Sequence, residues 1–162
     1  MLKHDFQSFV DNYSHARDFE KIKFDWNGLY ADKFHDINYH FRTQLCEFLM
    51  PQLSSANIEL IRDIYLELGK CSAATWSIHS YFRFYGQELL RRDWRKYLND
   101  YMEGAGNSVD SYPTSGAIEI DKDVALEIAA HLQNEIKTVN SDQLKRRLEG
   151  FIKRFQWLAN KK

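Results

Sequence analysis

Three properties of this sequence predict an all-α fold. Apolar residues recur at three- and four-residue steps through most of the chain, the period of one helix face. Only two prolines and seven glycines interrupt 162 residues, few for an all-β or loop-rich protein. Ala117–Ile120 reads as a short extended piece, but it has no partner strand. With 44% hydrophobic and 15% aromatic residues the chain can bury a sizeable core. The reading is a single-domain bundle of about six helices. It surrounds a long, aromatic-rich central helix and ends in an antiparallel helical hairpin.

Phe6, Phe9, Val10 and Tyr13 share one helix face, and Phe19, Ile22 and Phe24 continue it less regularly, so residues 2–24 hold one or two helical segments. Asp25-Trp26-Asn27-Gly28 is a turn, because Asn-Gly favours positive φ. Helical spacing resumes from Tyr30 to Met50, and Pro51 stops it. Ser54 or Ser55 is the expected cap of the next helix, whose apolar side is Ile58, Ile61, Ile64 or Tyr65, and Leu68. Gly69 is its expected terminator.

The central helix is then expected from Ala73 to Met102, capped by Ser72, with a bend near Gly86. Residues 103–116, rich in Gly, Ser and Pro, read as one long exposed loop. Asp121 caps a helix over Lys122–Val139. Asn140 and Ser141 break the chain before a last helix over Asp142–Asn160, with Leu144, Leu148, Phe151, Ile152, Phe155 and Leu158 on its apolar face. The short connection makes these two an antiparallel pair.

No apolar run approaches the ~20 residues of a membrane span, and the N-terminus is too acidic and interrupted for a signal peptide. Cys46 and Cys71 are isolated and read as buried free thiols in a reducing cytoplasm. The net charge of −1 argues against general affinity for nucleic acid. Charge is nevertheless segregated. Residues 1–69 carry seven Lys/Arg against eleven Asp/Glu, residues 70–102 six against three, and residues 103–162 nine of each. Salt-bridging between the acidic first third and the basic central helix is one explanation.

Motifs for chemistry are missing. Asp32-x-x-His35 and Asp36-x-x-x-His40 lack the second Glu-x-x-His of a di-metal bundle, and no zinc set occurs, so no metal or other cofactor is expected. There is no nucleophile elbow or phosphate loop. Two surface features remain. Arg83, Arg91, Arg92, Arg95 and Lys96 lie among aromatic residues on the central helix, a candidate grip for nucleic acid. Glu59, Asp63 and Glu67 recur every four residues and stack on one helix face, where like charges destabilise an isolated helix. Facing solvent, they would suit a basic protein partner.

The expectation is a cytoplasmic, non-catalytic protein that binds another protein. Within that class it points to a bacterial immunity or antitoxin type, neutralising a toxin (a nuclease being the natural candidate) through Glu59, Asp63 and Glu67. A nucleic-acid-associated helical protein is the alternative, and a metal-dependent helical enzyme the third reading.

Overall fold

The structure is a computed structural model that describes residues 3–75, 77–106 and 118–161. It is all-α, with no strand among the described residues. The helices are α1 (Lys3–Asp11), α2 (His15–Asp18), α3 (Tyr39–Leu49), α4 (Ile58–Thr75), α5 (Phe82–Gly106), α6 (Lys122–Glu135) and α7 (Asp142–Asn160). Single 3-10 turns lie at Phe19–Lys21, Ala31–Lys33 and Met50–Gln52. Contacts cluster in two compact units, Met1–Ile118 and Glu119–Lys162.

The first unit is centred on α4. Leu60, Ile61, Ile64 and Tyr65 are fully buried, and Asn57 caps the helix start by accepting from Glu59 N at 2.9 Å. Neither Ser54 nor Ser55 is the cap. The helix also runs through Gly69 to Thr75, because Cys71, Ser72 and Ala74 are buried and their packing outweighs the glycine's low helix propensity. Ser72 sits inside the helix, its hydroxyl donating back to Leu68 O at 2.9 Å.

The central helix departs most from expectation. It begins at Phe82, and its break is at Asp93 (φ −163°, ψ 86°), not at Gly86. Asp93 caps the second half, its carboxylate accepting from Lys96 N at 3.2 Å. A straight helix would part Gly86 from Gly104 by ~27 Å. Here the ring of Tyr65 lies against both: a Cβ on Gly86 would stand 2.8 Å from Tyr65 Cε2, and one on Gly104 would stand 2.8 Å from Tyr65 Cζ. The same added atom on Gly86 would meet Tyr101 Cδ2 at 3.2 Å. The two halves of α5 therefore fold back on each other around Tyr65, which stacks on Phe82 at 4.6 Å and on Tyr101 at 6.0 Å. Its hydroxyl donates to Tyr101 O at 2.9 Å. Both glycines are there because the ring occupies the space of their side chains.

Glu103–Gly106, expected to open the long loop, form the last turn of α5, with Gly104 and Ala105 buried. Positions 107–116 of that loop lie outside the described residues. In the second unit α6 and α7 pack together; Asp121 caps α6 as the sequence predicts, and Ser141, expected only as part of the break, caps α7 by accepting from Leu144 N. Helix α6 ends at Glu135, four residues short of Val139. The buried face of α7 is Leu148, Phe151, Ile152, Phe155 and Leu158; Leu144 stays exposed.

Candidate functional site

The acidic row does not face solvent. Glu59 is exposed, but Asp63 and Glu67 keep only 2% of their surface. The reason is the segment before α3, which lies over this side of α4 and hydrogen-bonds to it. Asp63 accepts from Tyr13 Oη at 2.7 Å and lies 2.7 Å from His15 Nδ1. Glu59 accepts from His15 N at 3.2 Å, and Glu67 from Phe24 N at 2.6 Å. Lys70 Nζ lies 2.5 Å from the other oxygen of Glu67. Burial, followed by the Asp63 carboxylate, pushes the Tyr13 hydroxyl far above its ordinary pKa, so it stays a donor. Three carboxylates that look like a recognition stripe are acceptors for residues 13–24. Asp18 and Asp36 are also buried, so much of the acidic surplus of residues 1–69 lies inside.

The basic set is also partly internal. Arg92 is bound on three sides: Nη1 donates to Ala56 O at 2.7 Å, Nη2 to Leu53 O at 2.7 Å, and Nε to Glu88 at 2.8 Å. It ties α5 to the turn before α4. Arg91, Arg95 and Lys96 are exposed and Arg83 is half-buried. The Trp94 and Tyr97 rings among them are buried, at 8% and 6% exposure, with Arg95 and Lys96 lying over them. The rings beside the exposed cations Arg95 and Lys96 offer no open face, and Phe84, under Arg83, is half-buried.

Within the first unit the exposed large apolar groups among the described residues lie on the segment between Phe24 and Tyr39. Helical spacing predicts a helix from Tyr30, but the helix starts only at Tyr39. Asn27 overrides the pattern. Its backbone N donates to His35 O at 3.0 Å, its Oδ1 accepts from Leu29 N and His35 N, and its Nδ2 donates to Lys33 O at 2.8 Å. An antiparallel bridge joins Trp26 to Asp36, and Gly28 (φ 78°) takes the positive φ expected of Asn-Gly. The result is a compact Ω-type loop closed by its own side chains.

The loop is fixed at its base. Asp36 and Arg42 form a buried ion pair, and Arg42 Nη1 also donates to Ile22 O at 3.1 Å and Lys23 O at 3.2 Å. Asn38 Nδ2 donates to Glu20 O and Lys23 O. Removing one partner of such a pair costs about 3–5 kcal/mol, because it strands the other charge. Asp36 is thereby committed to Arg42 and is not free to join His35 and His40. Among the described residues no group of three or more His, Cys, Asp or Glu is arranged to hold a metal ion.

The tip carries Leu29 at 50% and Tyr30 at 58% exposure, with Ile37 at 69% beside the base. The Trp26 indole donates to Leu29 O at 2.7 Å, and Tyr30 packs edge-on against it at 4.9 Å. Ala31 has φ 57°, the left-handed region, which costs a residue with a Cβ of order 1 kcal/mol or more. The surrounding hydrogen bonds hold that strain.

Two depressions adjoin the loop. One of about 410 Å³ lies between Tyr30, Ala31, Phe34, Ala74 and Thr75. Thr75 also lines the second, of about 390 Å³, with Tyr39, Arg42, Cys71, His79 and Tyr81. His79 Nδ1 accepts from Tyr81 N at 3.3 Å, which requires the neutral ring; burial, then the Arg42 charge, holds its pKa below the usual value. Burial pushes the Cys71 thiol up, and Ser72 and Thr75 donate to backbone carbonyls. These four side chains give the cleft hydrogen-bonding capacity without an activated nucleophile.

No protein-family model, no curated protein and no solved structure matches this chain. No helix among the described residues is long and apolar enough to cross a membrane.

Proposed function

We propose that this chain is a non-catalytic protein-binding module whose contact surface is the loop between Phe24 and Tyr39 with its two adjoining depressions. The observation that carries the reading is the exposure of Leu29, Tyr30 and Ile37 on a loop whose backbone is pinned, Ala31 strain included. Rigid exposed aromatic groups are the usual anchors of protein interfaces, because little conformational entropy is lost when they bind. Backbone strain held by surrounding contacts is a recurrent mark of a binding segment.

The finer proposal is a cytoplasmic immunity or antitoxin protein of bacterial type that neutralises a toxin by direct binding. Its contact residues are those of this loop and not the α4 acids, two of which are buried. The full chain and its Leu29→Asp/Tyr30→Ala variant serve as baits in a quantitative capture experiment from source cells, with Leu126→Asp as surface control. Proteins held by wild type and by the control should be lost from the loop variant. Identical profiles for all three would sink the reading. Co-expression tests the finer claim: a toxic product of the adjacent gene should be neutralised by wild type and not by the loop variant.

A further inference from the structure

A second surface, on α7, does not belong to that reading. At 100° per residue, Trp157 stands at the centre of the face opposite buried Leu148, Phe151 and Phe155. A tryptophan there lies away from the buried face of the hairpin and remains 50% exposed. Within about 60° of it on the same face lie Arg146, Lys153, Arg154 and Lys161. Arg154 and Lys161 lie 5.5 Å from the indole centroid. The helix Asp142–Asn160 carries five Lys/Arg and two Asp/Glu, so the near-neutral total of the chain hides a basic stripe ~22 Å long.

We infer that this face binds single-stranded nucleic acid, with Trp157 as the stacking platform and the exposed Arg146, Lys153 and Lys161 along the phosphates. A stripe of cations on one helix with an aromatic ring inside it is the footprint of that ligand class. On α5 the rings beside the exposed cations Arg95 and Lys96 are buried, whereas Trp157 on α7 is half exposed. A membrane surface fits less well. The apolar face of α7 is already buried, and one indole is too little apolar area to hold a helix in lipid.

The probe is a short fluorescein-labelled oligouridylate, titrated with the full chain and read by anisotropy. Binding should weaken as salt rises, with a log–log slope of about −2 for three neutralised phosphates. Trp157→Ala should weaken it on the order of tenfold with the slope unchanged, and Trp157→Phe should restore most of the loss. Arg146→Glu with Lys153→Glu should flatten the slope. All these positions are exposed or half-exposed, so circular dichroism should match wild type. The inference is overturned if no anisotropy change occurs at low salt. It is equally overturned if Trp157→Ala binds as wild type does. Displacement of the oligonucleotide by polyglutamate, or by phosphatidylserine vesicles at matched charge, would also overturn it, since neither offers a base to stack.

Discussion

Gly104→Ala sets helix propensity against packing, with opposite signs. Propensity alone predicts a gain of about 1 kcal/mol, since alanine is the better residue in a helix interior. The added methyl, however, would meet three atoms of one ring, with Cζ at 2.8 Å and Cδ1 at 2.9 Å. That ring has no room to retreat. Tyr65 is fully buried, its other edge already lies against Gly86, Phe82 stacks at 4.6 Å, and its hydroxyl is held by Tyr101 O. Overpacking of this kind costs about 1–3 kcal/mol, sometimes more. With this much confinement the upper end applies, and the net expectation is a loss of about 2 kcal/mol. Urea unfolding followed by circular dichroism measures it from the midpoint at constant m-value. The Tyr65→Leu background supplies the control: once the ring is gone, Gly104→Ala should turn neutral or stabilising. The reasoning fails if Gly104→Ala stabilises the wild-type chain, or if its cost is the same in both backgrounds.

Two further outcomes follow from the site. Replacing Glu59, Asp63 and Glu67 together by lysine should prevent folding, because two of the three are buried acceptors; Asp63→Ala alone should cost about 2 kcal/mol by stranding the buried Tyr13 hydroxyl. A triple variant with a wild-type circular dichroism spectrum and unfolding midpoint would contradict the inward placement. For His79 the sign is that of a group whose folded pKa is depressed: its contribution is present above the ordinary histidine value near 6.5 and is lost as pH falls through the lower folded value. Stability should therefore decline on acidification from about pH 6.5 down to the lower folded value, and His79→Gln should remove that part of the decline; an unchanged pH profile in the variant would refute the assignment.

The sequence carried the fold class because period and breakers are local. Pro51 follows the end of α3 by two residues, Asp121 caps α6, and Asn140 and Ser141 break the chain before α7. What it did not carry depends on what lies across from a residue. The four-residue spacing of Glu59, Asp63 and Glu67 correctly puts them on one face, but spacing does not say which side a neighbouring segment covers. The break in α5 had a local signal, an aspartate preceding a run that restarts its apolar phase. Gly86 drew attention from it, and the reason for that glycine is Tyr65, twenty-one positions earlier. The α3 boundary failed because Asn27 makes its four bonds to backbone two to eight residues away, which outweighs the spacing of Phe34 and Ile37. In the candidate site, the exposed tip residues fitted a helix pattern and so gave no warning of a loop.

The carboxylates of α4 bear on how fragments of this chain behave. Residues 13–24 are their counter-layer, so a shortened chain beginning at α3 is electrostatically another molecule. It would expose Glu59, Asp63 and Glu67 without the Tyr13, His15 and Phe24 donors, leaving only Arg62 and Lys70 of α4 itself to offset them. Such a fragment would attract basic proteins in a capture experiment. A mapping study by deletion from the N-terminus would then report a binding surface created by the cut, one that the intact chain keeps closed against its own backbone.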